Sequence, residues 1–346
     1  MPLSTSQIRQ AFFDFFTEKY GHRLVKSASL IPANPTVLLT PAGMLPFVPI
    51  FMGVEPAPNP PRAVSSQKCA RVSGKASDLS YVGRTLRHHT FFEMLGNFSF
   101  GDYFKEEAIP WAWEFLTEVL KLPKEKLWVS VFYDDKESRR IWEQVVGLSP
   151  ERVWDKDEKD NFWGPPGPTG PCGPCTEIYY DLGPQFEDPE DRYLEIWNVV
   201  CMELFKDADG KTSPLKAKNI DTGMGLERIA MVVQGVGNTF ETDLLFPIVK
   251  RLAELTGKHY KQNADDDIAL KIVADHIRCV AFAVADGVVP SNDGRGYVIR
   301  MILRRAVRYG RSLGLGEPSI RPKIMASIKS IAKKMSLKIK AQVILS

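Results

Sequence analysis

The chain has too few paired cysteines for a disulfide framework and no familiar metal-binding spacing. Its five cysteines are an odd number: Cys69, Cys201 and Cys279 stand alone, and only Cys172 and Cys175 form a Cys-x-x-Cys. A structural zinc site wants a second such pair or nearby histidines. His22, His88, His89, His259 and His276 form neither HxxxH nor HExxH. Gly-Pro-Cys-Gly-Pro-Cys is therefore read as loop packing, with no zinc site expected. The lone thiols suit a reducing compartment, cytoplasmic or organellar. No apolar run nears the roughly 18 residues of a membrane span, and the amino terminus does not read as a signal or transit peptide. No GxxxxGK[ST] is present: Gly74-Lys75-Ala76-Ser77 is a fragment of one, and Gly235-Val236-Gly237 does not complete a dinucleotide fingerprint. The net charge of +3 leaves nucleic-acid binding to be decided by where the charges lie.

What is present is enough hydrophobic residue, 44% of 346, for two domains. Ser4-Thr5-Ser6-Gln7 reads as a capping box ahead of Ile8, Ala11, Phe12, Phe15 and Phe16 at helical spacing. A short strand is expected at Val37-Leu38-Leu39, turning at Pro41-Ala42-Gly43, and the proline-rich 54–61 is a connector. Helices are expected over 105–121 and 136–147, with a strand from Leu127 to Tyr133 between them. Residues 163–175 read as a loop because of their glycine and proline. Strands follow near 176–181 and 193–205, then an Asp209-Gly210 turn and a strand ending at Asp221. From 222 the pattern is helical: 223–234, 243–256, 268–286 and 296–312. The lysine-rich 319–346 lacks stop signals, and Lys334 to Lys338 reads as a solvated face. The expected class is α+β, an antiparallel sheet flanked by helices and followed by an all-helical domain, with the boundary near 240: domains 1–240 and 241–346.

Three clusters could carry chemistry. Residues 68–100 read as strand, polar loop, strand, with Arg71 ending the first strand and Arg87 ahead of Phe91-Phe92-Glu93. Arginine suits forked contact with phosphate, and an aromatic face can stack a purine. Solvated arginines on an ordinary hairpin would give the same pattern. Asp221-Thr222-Gly223-Met224-Gly225 opens a helix carrying Arg228 about one turn in. A helix start explains the aspartate but needs neither glycine nor arginine. On the third, Glu195-Ile196-Trp197-Asn198, strand alternation puts Glu195 and Trp197 on one face and Ile196 and Asn198 on the other. A mid-strand charge or amide suggests a ligand. Further on, Arg300, Arg304, Arg308 and Arg311 share one helix face opposite Ile299, Ile302, Leu303 and Ala306, a stripe that fits a phosphate backbone or a plain charged surface.

Arg71, Arg-His-His-Thr-Phe-Phe-Glu-Met-Leu-Gly-Asn-Phe-Ser-Phe, Gly-Pro-Cys-Gly-Pro-Cys-Thr-Glu-Ile, Asp-Thr-Gly-Met-Gly-Leu-Glu-Arg and Ala-Asp-Gly-Val-Val-Pro-Ser-Asn together resemble the class II aminoacyl-tRNA synthetases, and among them the alanine-specific branch, from about residue 4 to 317. The resemblance implies a ligase that activates L-alanine with ATP and Mg2+ and charges alanine tRNA. It implies that Arg71 bridges the α-phosphate and the alanine carboxylate. Phe92, or its neighbour Phe91, stacks adenine, with Glu93 and Gly225 in the same nucleotide site, and Arg87 and Arg228 hold the outer phosphates. Asp221 and Asn198 face alanine, Trp163 and Val200 wall its methyl group, and Gly223 leaves it room. Glu195 is a magnesium ligand, and Asn292 reads the acceptor stem with Arg300, Arg304 and Arg308 on its phosphates. The family continues into further tRNA-binding, editing and carboxy-terminal domains, so an amino-terminal catalytic portion is expected. The alternative is a non-catalytic, tRNA-binding synthetase fragment. Oligomeric state is not legible.

Overall fold

The computed structural model describes residues 2–33, 37–72, 78–165 and 167–315. Lys334 to Lys338 and the rest of the lysine-rich tail fall outside them. The described strands are β1 (Arg23–Leu24), β2 (Arg62–Ala70), β3 (Phe91–Phe100), β4 (Leu127–Phe132), β5 (Val153–Lys156), β6 (Phe162–Trp163), β7 (Gly170–Asp181), β8 (Tyr193–Lys206) and β9 (Thr212–Gly225). The described helices are α1 (Thr5–Asp14), α2 (Val48–Phe51), α3 (Lys105–Glu114), α4 (Lys136–Arg140), α5 (Glu158–Asn161), α6 (Pro189–Arg192), α7 (Leu226–Gln234), α8 (Phe246–Thr256), α9 (Ala264–Ala285) and α10 (Gly294–Ser312). The sheet runs β1-β2-β3-β9-β8-β7-β4-β5, with β6 against β7. Its centre is antiparallel, but β1 pairs parallel with β2 and β4 with β5, so the sheet is mixed rather than purely antiparallel.

The chain divides into two compact units: residues 1–28, 32–69 and 92–242, and residues 29–31, 70–91 and 243–346. In the first, α1 starts at the Ser4 capping box. Gln7 N–H donates to Ser4 Oγ at 3.3 Å, and Ser4 N–H donates to Gln7 Oε1 at 2.9 Å. Ile8 and Phe12, one turn apart, are fully buried. A π-helical turn, Phe15–Lys19, carries Phe16 into the same layer. Fully buried Trp197 of β8 meets Phe12, Phe16 and Phe115 with ring centres 5.7, 6.5 and 5.8 Å away. Helices thus cover one face of the sheet, with the aromatic layer as its core.

In the second unit, Asn263 caps α9 by accepting from the N–H groups of Asp265 and Asp266, and three aspartates in the first turn complement the helix dipole. α10 packs on α9 with Ile299, Ile302 and Ala306 buried, while Arg300, Arg304, Arg308 and Arg311 are exposed, the amphipathic division expected from the spacing. No described helix is long and apolar enough to cross a membrane.

Three expected elements differ. Val37-Leu38-Leu39 forms no strand, and short helical turns at Leu45–Phe47 and α2 follow instead. Residues 170–175, expected as loop, belong to β7. Their glycines and prolines are tolerated because the β7–β8 register shifts between Cys172 and Cys175, and Gly173 passes so close that an added Cβ would lie 1.9 Å from the Cys201 carbonyl. β9 continues four residues past Asp221, since Thr222, Gly223 and Met224 pair with Val199, Asn198 and Trp197, and α7 therefore begins only at Leu226.

Candidate active site

The face of the central sheet opposite the aromatic layer is assembled by strand register. Asn198 pairs with Gly223 and Val200 with Asp221 across β8 and β9, while Phe98 of β3 opposes Asp221 on the other side. Alternation puts these residues on one face. Asp221 sits among residues that offer it no compensation: it is buried, and among the described residues no group hydrogen-bonds or ion-pairs with its carboxylate. Burial pushes its carboxyl well above the usual aspartate range. It lies four residues before Gly225, which caps α7, so the helix start does not account for it. Val200 belongs to an apolar cluster with Phe98 and Cys175, against which half-buried Trp163 packs. At Gly223 an added Cβ would meet Met94 Sδ at 2.9 Å, so a side chain here would have to displace the end of Met94.

The expected alternation of Glu195 and Asn198 is overturned. β7 and β8 pair Glu177 with Asn198, Ile178 with Trp197 and Tyr179 with Glu195, so Ile196 is an extra residue. This bulge reverses the facing of everything beyond it and brings Glu195 and Asn198 onto one face, with Glu177. Asn198 Nδ2 donates to Glu177 Oε1 at 3.2 Å, and the Tyr179 hydroxyl donates to Glu177 Oε2. Burial, with the neighbouring Glu195 carboxylate, raises the Glu177 carboxyl to about 8. Arg228, in the first turn of α7, donates from Nη1 to Glu195 Oε2 at 2.7 Å and to the Glu195 carbonyl at 3.0 Å. Glu177 was not singled out from the sequence. Its signal was the one that marked Glu195 and Asn198, a charge in the middle of an apolar strand.

Glu93 of β3 accepts a forked pair from Arg9, 2.8 Å from Nε and 2.7 Å from Nη2, and a further hydrogen bond from Ser66 at 3.0 Å. Its own N–H donates to the buried Glu227 carboxylate at 3.1 Å. Phe92, just before it, is half-buried.

In the other unit, Arg71 follows β2 directly, and its N–H donates to the Thr90 carbonyl at 3.0 Å. Arg87 is half-buried in the turn that precedes His88 and His89. Asp275 of α9 accepts from the Thr90 N–H at 3.0 Å and from its hydroxyl, and meets His276 Nδ1 at 2.8 Å. Burial alone would raise this carboxyl, but hydrogen bonds from His276 and His89 hold it well below the usual range. Phe91 is a core residue: its ring is fully buried, stacked on Phe282 at 4.3 Å, with the Arg278 guanidinium 4.7 Å away. Of the two phenylalanines, only Phe92 keeps exposed surface. Asn292 is exposed just before α10, where its Oδ1 accepts from Arg300.

All five cysteines are buried thiols, and among the described residues no three His, Cys, Asp or Glu side chains gather as a metal site would require.

A family model described as tRNA synthetases class II (A) matches residues 7–345. The chain is 53% identical over 342 residues to the alanine–tRNA ligase of Thermotoga maritima, an alignment covering 96% of this chain and 39% of that protein. With the alanine–tRNA ligase of Thermosynechococcus vestitus it shares 57% identity over 322 residues, 90% of this chain and 36% of that one. It thus spans about two fifths of the length of the curated relatives it matches. Among solved structures it resembles apo histidyl-tRNA synthetase of S. aureus with a TM-score of 0.40 and 12% identity, covering 75% of this chain and 79% of that one.

Proposed function

Because this chain belongs to the class II (A) tRNA synthetase family, we propose that it activates L-alanine with ATP to alanyl-adenylate and hands the alanyl group to the 3′ end of alanine tRNA. The observation that carries the proposal is Asp221, a buried carboxylate with no partner among the described residues, beside Val200 and the bare backbone of Gly223. A buried carboxylate is stable in its ionised form only when a cation or hydrogen-bond donors meet it, and an amino acid's ammonium supplies both. The apolar, small surroundings suit a methyl side chain, with Trp163 and Val200 as its walls. The relatives' printed name, alanine–tRNA ligase, supports the same substrate.

In the first step an alanine carboxylate oxygen attacks the α-phosphorus of ATP in line, the bond to the bridging oxygen breaks, and pyrophosphate leaves. In the second a terminal ribose hydroxyl of the tRNA attacks the alanyl carbonyl and AMP leaves. Neither step needs a covalent nucleophile from the protein: the chemistry is alignment of two anions and neutralisation of charge between them. In this reading Arg71 bridges the two reacting anions, Arg87 and Arg228 hold the outer phosphates, and Phe92 stacks adenine. Glu93, held by Arg9, braces that strand, and Gly225 lets the nucleotide approach the backbone. Asp221 and Asn198 take the ammonium. Magnesium bound with the nucleotide would neutralise phosphate charge. Magnesium sites of this kind use one or two carboxylates, so Glu195, exposed enough to reach solvent beside Arg228, fits as a single protein ligand. Residues 1–240 would form the aminoacylation domain. Residues 241–346 would receive the acceptor stem through Asn292, Arg300, Arg304 and Arg308.

Alanine-dependent exchange of labelled pyrophosphate into ATP tests the reading. Wild-type chain should exchange, and Arg71→Ala should lose about a hundredfold in rate, roughly 3 kcal/mol of transition-state stabilisation. Exchange that is absent, or indifferent to alanine, overturns it.

A further inference from the structure

We propose that Glu177 is a positioning residue that sets the amide of Asn198 so that its oxygen, not its nitrogen, faces the ammonium of the bound amino acid. The inference rests on the alanine-activation reading and deepens it. An asparagine offers a donor at one end of its amide and an acceptor at the other, and only the acceptor can bind an ammonium. Asn198 Nδ2 donates to Glu177 Oε1 at 3.2 Å, while Asn198 Oδ1 is buried with no hydrogen-bond partner among the described residues. A buried carbonyl oxygen left without a donor is costly, and a ligand N–H would satisfy it. Turning the amide over would set its oxygen against an oxygen of Glu177 and leave the NH2 toward the site. Asn198 pairs across the strands with Gly223 and is two residues from Val200, which pairs with Asp221. The freed oxygen and the Asp221 carboxylate therefore lie on the same face of adjoining strands.

The arrangement holds with Glu177 ionised, and equally with it protonated on Oε2. When ionised, its Oε2 accepts from the Tyr179 hydroxyl, whose oxygen also accepts from Lys156 Nζ at 3.1 Å. When protonated on Oε2, it can donate to that same hydroxyl oxygen, and the Tyr179 proton can turn to Ser130 Oγ, 3.3 Å away. In both states Oε1 remains an acceptor for Asn198. Glu195 shares the face but is engaged by Arg228 at 2.7 Å. Continuous register from Val200 to Trp197 puts Asn198 opposite Glu177 and Trp197 opposite Ile178, and the bulge at Ile196 then turns Glu195 onto the face of Asn198.

Steady-state pyrophosphate exchange on the full chain tests this, varying alanine and ATP separately. Glu177→Met, which removes the acceptor at similar length, should raise the KM for alanine about tenfold or more, with the KM for ATP changed less than about twofold. Glu177→Gln, whose carbonyl can still accept from Asn198, should restore the alanine KM to within about threefold of wild type. An unchanged alanine KM in Glu177→Met, an equal rise for ATP, or failure of Gln to rescue overturns the assignment. If circular dichroism shows Glu177→Met to be unfolded, the exchange of roles in Glu177→Gln with Asn198→Asp decides instead. Gln can donate to Asp, so the double variant should bind alanine better than Asn198→Asp alone, where two acids face each other. No gain over the single variant rejects the proposal. Wild-type chain without alanine-dependent exchange removes the activation reading and this inference together. Exchange present but insensitive to Glu177→Met removes only the latter.

Discussion

At the scale of single residues, the sheet face holds an acid that no group among the described residues compensates. Asp221 is buried, without a partner among the described residues, and its carboxyl is driven well upward by burial. Such a group destabilises the empty protein and gains when an ammonium arrives. Asp221→Asn should therefore raise the KM for alanine far more than that for ATP, since an amide cannot replace the charge. The same variant should melt at or above the wild-type temperature at pH 8. A variant that loses stability and both substrates equally would mark Asp221 as structural. The proposed methyl pocket makes its own prediction. A missing methyl separates amino acids by only about 1–3 kcal/mol, and an added hydroxyl is rejected little better. Glycine and serine should therefore support measurable pyrophosphate exchange, within about two orders of magnitude of alanine in kcat/KM. Exchange with neither would mean that more than Trp163, Val200 and Gly223 shapes the pocket.

At the scale of elements, the consequential features are a strand that bends and a helix that presents one charge. β7 holds Gly173 against the Cys201 carbonyl, where no side chain fits. Gly173→Ala should cost about 3 kcal/mol or more, because the blocking atom is backbone and can yield only by parting two central strands. A melting temperature within a degree or two of wild type would contradict that close approach. On α10 the exposed Arg304 and Arg308 should contribute to tRNA binding through phosphate neutralisation. Reversing both to glutamate should flatten the dependence of log K on log salt by about two or more contacts while leaving alanine-dependent exchange intact. An unaltered slope returns the stripe to ordinary surface. The helix itself was legible, since Ile299, Ile302 and Ala306 keep a 3.6-residue period. The strand run through Gly-Pro-Cys-Gly-Pro-Cys was not: local propensity speaks for loop, and only pairing with β8 supplies the compensation.

For the whole molecule, two buried titrations of opposite sense shape stability against pH. His22 is neutral in the fold, held to about 4 mainly by burial, with Nδ1 donating to the Phe16 carbonyl at 3.1 Å and Nε2 meeting the Tyr103 hydroxyl at 2.9 Å. Its ordinary value is near 6.5, so the unfolded chain takes up a proton first, and stability falls as pH drops from about 6.5 through 4. Glu177 is the reverse. Its carboxyl is raised to about 8, so the folded state holds the extra proton between about 4.5 and 8, and stability falls as pH rises through that window. Thermal melts of wild type and Glu177→Gln at pH 5.5 and 8.5 separate the two. The variant should gain relative to wild type at the higher pH, and a difference that does not change with pH would deny the raised carboxyl.

Much of this protein is decided within reach of a few neighbouring residues, and that part was legible. The capping box of Ser4 and Gln7, the heavy aromatic spacing of α1, the turn at Gly210 and the arginine face of α10 all follow from local hydrogen bonds and periodicity. The motifs around Arg71, Asp221 and Arg228 carried the resemblance to the family that the match over residues 7–345 bears out. Tertiary structure alone decided what depends on which strand lies opposite. The bulge at Ile196 moved Glu195 and Asn198 to one face, a two-residue alternation being reversed by a single unpaired residue. Glu177 became part of the site only through that register, and Asp221 acquired its unpaired burial only because β9 runs on to Gly225 instead of turning into a helix at 222. Phe91 and Phe92 are identical side chains in adjacent positions. The packing of Phe282 and Arg278 buries the first fully, while the second stays half-buried.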